Sequence, residues 1–428
     1  MTNVTLTILA GGCKMGVIEK GANERLRLIY DDDWREGQDS YPLSLSMPLA
    51  AAEHGHGAIT AFLWGLLPDN EFVLDRWAKR FQVSPRNVFA LISHVGEDCA
   101  GAAQFVRPGR VSDVLQAKSR VEWLNEADIA VRLRTVREDL AASRLPGDTG
   151  QFSLAGAQAK TALLYDGKRW GVPSGRWPTT HILKPPSLKF EGHAENELFC
   201  LRLARQFGLP AAHAQVQMFD NEKVIVVERY DRLREGGRIT RAHQEDMCQA
   251  LGLPPTRKYE NERGPSVRAI IDLIRDSSSA REEDEATFLG AIVFNWLIAG
   301  TDAHAKNYSL LIGQSGRARL APLYDVASAL PYDTLNQGNL KSAMKIGGEY
   351  VLKNIGVRNW RKLAAETRLS EEFVLTRARE MGQAMPGAAE MVRDALKAEG
   401  IAHPIVKLMA ERLAERAQKL ARMMAIGD

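Results

Sequence analysis

The stretch TDAHAKN, Thr301 to Asn307, brings an aspartate, a histidine, a lysine and an asparagine together over a few residues. An apolar run, EATFLGAIVFNWLIA, precedes it and predicts a helix that stops at Gly300. Asp302 is therefore expected in the loop just past a helix C-terminus. Behind Asn307, the segments YSLLIG and RARLAPLY flank GQSG and predict a hairpin. Antiparallel pairing would return Asp325 to the open end where Asn307 begins, so Asp302, Asn307 and Asp325 should converge. Three oxygen-bearing side chains at one loop mouth fit either a solvated polar surface or a phosphoryl-transfer centre. Kinase-type enzymes place a base Asp five residues before a metal-binding Asn, with a second metal-binding Asp beyond. Hard Mg²⁺ takes oxygen ligands near the transferring phosphate, while a separate carboxylate handles the proton of the attacking hydroxyl. Asn307 and Asp325 suit the metal, and Asp302 suits the base.

Such chemistry also needs a cation on the nucleotide phosphates and a loop that lets them approach. Lys184 in THILKPP stands on a predicted strand, with Glu195 and Glu197 on the following helix as candidate ion-pair partners. Further upstream, FSLAGAQAKTALL holds Ser153, Leu154, Ala155, Gly156, Ala157, Gln158 and Lys160. Its small residues permit close approach of backbone to phosphate, although a tight structural turn reads equally well. The strand VIVVERYDR would end in a hinge at Glu228 to Asp231, with backbone groups for adenine, Tyr230 for stacking and Asp231 near the ribose. Tyr230 as plain interface packing is the competing reading. His304 fits either the site, beside Asp302, or a helix-end cap.

The elements that must position these residues fall into three stretches. Residues 1–105 read as a small α/β unit: strands at VTLTILAGG and RLRLIY, then helical ITAFLWGLLPDNEFVLDRWAKRF and SPRNVFALISHVG. VRPGRVSDVLQAKSR reads as a linker, LNEADIAVRLRTVREDLAAS as a helix, and RLPGDTGQ as a turn. Residues 106–235 form the β-rich stretch, in which Asp166-Gly167 separates KTALLY from KRWGV as a two-residue hairpin signal. ENELFCLRLARQF is a helix stopped by Gly208 and Pro210. Residues 236–428 read as all-helical apart from the hairpin.

Bulk properties narrow the class. A chain of 428 residues with 45% hydrophobic and 25% charged residues is ordinary for a folded protein of several lobes. Lys and Arg number 56 against 53 Asp and Glu, and a net charge of +3 gives no broad footprint for nucleic acid. Cys13, Cys99, Cys200 and Cys248 are far apart and contain no CxxC, so neither a zinc site nor a disulfide framework is suggested. MTNVTLTILAGGCKMG lacks the basic start of a secretion signal, and AIVFNWLIAG falls short of the roughly 20 residues that span a bilayer. A cytoplasmic protein without membrane contact is expected.

With these residues assembled, the chain resembles the HipA family of bacterial serine/threonine kinases, the toxin half of a toxin–antitoxin pair. The resemblance runs through LISHVGEDCAGA, SLAGAQAKTALL, THILKPP, NELFCLRLA, VVERYDR, HQEDMCQALG, GTDAHAKNYSLL and LAPLYDVASALPY. It implies an α+β, two-lobed protein-kinase-like fold, with a β-rich N-lobe preceded by the small α/β subdomain and an all-helical C-lobe. It implies ATP and Mg²⁺ as cofactors, Asp302 as the catalytic group, Asn307 and Asp325 on the metal, and Lys184 on the phosphates. It makes Ser153 the autophosphorylation site, with ejection of its loop and loss of activity on modification. The implied substrate class is aminoacyl-tRNA synthetases, notably the glutamyl enzyme, whose phosphorylation brings growth arrest and drug tolerance. The implied partner is a HipB-like helix-turn-helix antitoxin, and operator DNA is reached through that complex. Ala159 departs from the pattern, since members often carry Glu there, and this bears on loop dynamics rather than chemistry. A small-molecule phosphotransferase lacks the serine-bearing loop, and a non-catalytic co-repressor has no need of the intact set of polar side chains.

Overall fold

The computed structural model of this chain describes residues 4–116, 120–143, 145, 152–187 and 189–426. It comprises two compact units: Met1–Ser187 with Gln217–Pro255 and Leu310–Ala318, and Leu188–Val216 with Thr256–Ser309 and Arg319–Asp428. The segments at 188–216 and 310–318 each join the unit that their flanking residues do not.

The first unit contains two sheets. A five-stranded sheet runs in the order Glu53–His54, Leu26–Tyr30, Cys13–Lys20, Val4–Ala10, Gln104–Val106, every neighbour antiparallel. Strand Cys13–Lys20 carries a glycine in its interior and was not legible as a strand. Gly16 is needed there, because a Cβ would stand 2.4 Å from the Ile29 carbonyl oxygen. Helices His56–Gly65, Glu71–Phe81 and Val88–Val95 share one core with this sheet, built from Leu6, Ile8, Ile18, Phe62, Leu91 and Ile92. The long helix expected around LLPDN is thus two helices: the second restarts at Asn70, whose side chain accepts from the Phe72 and Val73 amides. The linker expected at 106–120 is partly helical, Pro108–Arg110 and Val111–Leu115, with Val114 buried against Leu9 and Val106.

The six-stranded sheet has the order Ala214–Phe219, Glu222–Glu228, His181–Lys184, Thr161–Tyr165, Trp170–Pro173, Val121–Leu124. Helix Glu126–Glu138 packs Ile129 and Leu133 into the core of Leu163, Leu183, Val224 and Val226. The hairpin at 166–169 closes through Asp166 N–H to the Arg169 carbonyl, 3.2 Å, so its central pair is Gly167-Lys168, with Gly167 at φ 104°. Apart from Leu145, the turn expected at RLPGDTGQ lies outside the described residues.

The second unit is built on helices His193–Gln206, Val267–Ser277, Arg281–Ile298, Val357–Thr367, Glu371–Ala398 and Pro404–Ile426. From Phe288 to Ile298 every residue of Arg281–Ile298 is buried, the result of a run that is apolar all round rather than on one stripe. Trp296 and Trp360 meet edge to face at 5.2 Å and are both fully buried. This unit is not all-helical. Strands Lys341–Ile346 and Glu349–Val351 pair antiparallel about Gly347-Gly348, whose φ values of 53° and 90° are those of a tight hairpin turn.

Candidate active site

The catalytic-loop candidate grows from the end of helix Arg281–Ile298. Ala299, not Gly300, is the left-handed residue that ends the helix, at φ 53°. Gly300 is required for space, since a Cβ there would stand 2.3 Å from Asn295 Oδ1. Asn295 in turn donates to the Ala291 carbonyl at 3.0 Å and to the Tyr308 hydroxyl at 3.1 Å, tying the helix end to the far side of the loop. Arg416 of the last helix donates to the Leu297 and Trp296 carbonyls at 3.0 and 2.9 Å. Burial lowers this guanidinium to about 10. A cation there satisfies carbonyls that a helix C-terminus leaves open.

Inside the loop, the Asp302 carbonyl accepts from the His304 amide at 2.8 Å and from Asn307 Nδ2 at 2.7 Å. The Asn307 amide donates to the His304 carbonyl at 2.9 Å, closing a single 3-10 turn, Ala305–Asn307. The hairpin follows, with Ser309–Ile312 and Ala318–Leu320 as its strands, and Ala321 N–H returns to the Ser309 carbonyl at 2.9 Å. Asp325 then sits at φ 58°, a left-handed conformation that an aspartate tolerates better than most side chains. Its neighbours stitch it to both sides of the loop. Tyr324 donates to the Lys306 carbonyl at 2.6 Å, and Ser328 donates to the Ile298 carbonyl at 2.6 Å. The backbone around Asp325 is thereby brought to the backbone around Asp302 and Asn307.

The side chains differ sharply in exposure. Asn307 is buried, Asp325 is half-buried and the Asp302 carboxylate is 69% exposed. One Asp302 oxygen, Oδ1, accepts from the Tyr259 hydroxyl and lies 3.8 Å from His304 Nε2. His304 is buried edge-on against the Tyr259 ring, 4.9 Å between centroids, and makes no capping bond with its side chain. Sequence reading missed Tyr259 altogether: it lies between two short turns, and no periodicity links it to Asp302.

In the first unit, Lys184 is buried and pairs in register with Ile225. Ser153 is also buried: its amide donates to the Asp98 carbonyl at 3.1 Å and its hydroxyl to the Leu66 carbonyl at 2.8 Å. Leu154 is buried, while Ala155, Gly156 and Gln158 are half-buried and Ala157 is exposed. The Gly156 carbonyl accepts from the Asp69 amide at 3.3 Å, and Lys160 Nζ donates to the Ala155 carbonyl at 2.6 Å. Gly156 adopts φ 94°, a backbone conformation that calls for glycine.

The hinge region departs from expectation at Asp231. It is buried, and Oδ2 takes the Arg229 guanidinium at 3.0 Å, the Gly101 amide at 2.8 Å and Gln244 Nε2 at 3.2 Å. Arg232 adds an ion pair at 2.9 Å. Burial alone would raise this carboxyl, but Arg229 and Arg232 hold it down at about 2. The same arginines, with Arg241, hold Asp98 far below the usual carboxylate range against its burial. Asp231 is thus an internal counter-ion, and the ribose role expected of it has no support in its surroundings. Glu228 is exposed at the strand end, and the half-buried Tyr230 donates its hydroxyl to Gln244 Oε1.

Residues 6–106 match the family model described as HipA N-terminal domain, and residues 152–389 match that described as HipA-like C-terminal domain. The chain belongs to the HipA family. The serine/threonine-protein kinase toxin HipA of Shewanella oneidensis is 30% identical over 81% of this chain and 79% of its own length. The Sinorhizobium fredii protein Y4mE is 34% identical, covering 88% and 89%. A solved Shewanella oneidensis HipA, in complex with HipB and its operator DNA, superposes with a TM-score of 0.84 at 26% identity, covering 98% of each chain. The fold is accordingly kinase-like.

A HipA-family kinase uses a nucleotide, and the side chains here suit one with a hard cation. Among the described residues the buried Gln158 Nε2 meets no acceptor, and a phosphate oxygen would satisfy it. Asn307 commits its amide nitrogen to Asp302, which leaves its amide oxygen for a cation. With Asp325 this would give two protein oxygen ligands, a number that suits Mg²⁺ where phosphates and water supply the rest. No helix among the described residues is long and apolar enough to cross a membrane.

Proposed function

We propose that this chain is an ATP-dependent protein serine/threonine kinase and the toxin of a toxin–antitoxin pair. The observation that carries the reading is the loop in which Asn307 bonds the backbone of Asp302 while the Asp302 carboxylate stays exposed. In this reading Asp302 receives the proton of the attacking hydroxyl. Asn307 and Asp325 hold Mg²⁺, which when bound neutralises charge on the transferring phosphate. Lys184, Ser153 to Gln158 and Lys160 engage the phosphates. The backbone of Glu228 to Tyr230 takes the adenine, with the Tyr230 ring beside it. Residues 1–105, 106–235 and 236–428 serve as the N-terminal, nucleotide-handling and transfer segments.

The substrate we propose is an aminoacyl-tRNA synthetase, the glutamyl enzyme first, whose modification arrests translation and growth in the cytoplasm. Ser153 is the proposed autophosphorylation site. A doubly charged phosphate there would displace a hydroxyl from a buried carbonyl, which supports loop release as the consequence. The proposed partner is a HipB-like helix-turn-helix antitoxin that brings the chain to operator DNA; the relative solved with HipB and DNA supports it.

The test is transfer from labelled ATP with Mg²⁺, followed by phosphoproteomics after brief induction, with Asp302→Ala as control. Phosphate on Ser153 and on a synthetase in wild type alone is expected. Normal ATP binding without any protein-bound phosphate would overturn the proposal.

A further inference from the structure

Tyr259 reaches the proposed catalytic carboxylate from a segment pinned on several sides. The Lys258 carbonyl accepts from the Ala305 amide of the catalytic loop at 3.1 Å. Glu260 accepts from the Lys345 amide at 2.6 Å, which fastens the next residue to strand Lys341–Ile346. The Tyr259 carbonyl accepts from the Gly264 amide at 2.9 Å, and a Cβ on Gly264 would stand 2.5 Å from that oxygen. The backbone carrying the ring is therefore fixed relative to the loop it serves. The ring is fixed as well, with His304 edge-on at 4.9 Å.

The contact falls on one oxygen of Asp302. Tyr259 donates to Oδ1, and Oδ1 is also the oxygen 3.8 Å from His304 Nε2. An exposed aspartate samples several side-chain rotamers, and a base works only in the one that meets the incoming proton. A donor on Oδ1 narrows that choice, while the carboxylate as a whole stays 69% exposed.

We infer that Tyr259 is a positioning residue that holds Asp302 by Oδ1, so that Oδ2 receives the proton of the acceptor hydroxyl. This rests on the kinase reading. In the step itself, the acceptor oxygen forms a bond to the γ-phosphorus as its proton passes to Oδ2. The bond from that phosphorus to the β–γ bridging oxygen breaks, and ADP leaves with the electron pair. Tyr259 exchanges no proton and touches no reacting phosphate; it sets where the carboxylate points.

The experiment is total phosphoryl transfer from γ-labelled Mg·ATP, protein-bound phosphate plus released phosphate, in full-length wild type, Tyr259→Phe, Asp302→Ala and the double variant. Tyr259→Phe keeps the ring against His304 and removes the hydroxyl alone. Its kcat is expected to fall about 3- to 10-fold, as for one lost orienting hydrogen bond, while KM for Mg·ATP stays within about twofold. In the Asp302→Ala background the same change is expected to have no further effect, since Tyr259 acts through that carboxylate. A purely structural role would lower transfer equally in both backgrounds, and that outcome overturns the inference. So does a Tyr259→Phe enzyme with wild-type kcat. Wild type that binds ATP but transfers nothing overturns the kinase reading and this inference with it. An active wild type with an unaffected Tyr259→Phe overturns this inference alone.

Discussion

The side-chain amide of Asn307 donates to the backbone carbonyl of Asp302 at 2.7 Å, so the residue assigned to the metal also sets the loop that carries the base. The two roles separate by substitution. Asn307→Asp keeps an oxygen for the cation and loses the donor, whereas Asn307→Ala loses both. Asn307→Ala is expected to raise the Mg²⁺ concentration for half-maximal transfer by about 10- to 100-fold, the scale on which supporting metal contacts act. Asn307→Asp is expected to lower kcat with a smaller change in that requirement. Magnesium titrations of transfer rate check both, and chelation should abolish transfer in wild type.

Ser153 is held inward by its amide on Asp98 and its hydroxyl on Leu66. Ser153→Ala loses one buried bond, about 1 kcal/mol, and keeps the amide contact, so the loop should stay docked. Ser153→Glu places a charge against a carbonyl and is expected to release it. Hydrogen exchange of the amides from Ser153 to Gly156 should be faster in Ser153→Glu than in Ser153→Ala.

Asp231 and Asp98 pair with Arg229, Arg232 and Arg241 inside the first unit. Asp231→Asn leaves buried arginine charge uncompensated and is expected to cost about 3–5 kcal/mol in denaturant unfolding. The acid side follows in sign. A carboxyl held below its ordinary 3.8 stabilises the folded state above that pH and loses the contribution as pH falls towards about 2. Wild type should therefore lose stability over that window, and Asp231→Asn should lose less.

Glu245 behaves oppositely. Burial raises its carboxyl to about 8, with bonds from the Leu45 amide and Ser44 only partly opposing this. Among the described residues its buried Oε2 meets no hydrogen-bond donor, so little offsets the burial of a charge there. A folded-state value above the ordinary 4.5 means stability is full below 4.5 and declines as pH rises to about 8. The slope is up to about 1.4 kcal/mol per pH unit. Glu245→Gln is expected to flatten this decline, measured as melting temperature across that range.

Local pattern settled a good deal. The order Asp302, Asn307, hairpin, Asp325 is written in spacing, and so are Lys184 on a strand and the Gly208 stop, because each depends on neighbours within a few residues. An apolar run likewise marked the helix Arg281–Ile298 of the second unit. Tertiary structure decided what spacing cannot express. Asp231 stood beside a hinge in sequence and is a buried counter-ion to Arg229 and Arg232, held in place by the amide of Gly101, more than a hundred residues away. Gly300 looked like the helix stop and instead makes room for Asn295, while Ala299 takes the left-handed turn. Ser153 was placed by sequence in a loop expected to cover phosphate, and only the fold shows its hydroxyl closed against the Leu66 carbonyl. Tyr259 had no signal, since its partner lies 43 residues ahead with no repeat between them. Hydrogen bonds and ion pairs between distant segments leave no period in a sequence, so side-chain type and order were legible while partners were not.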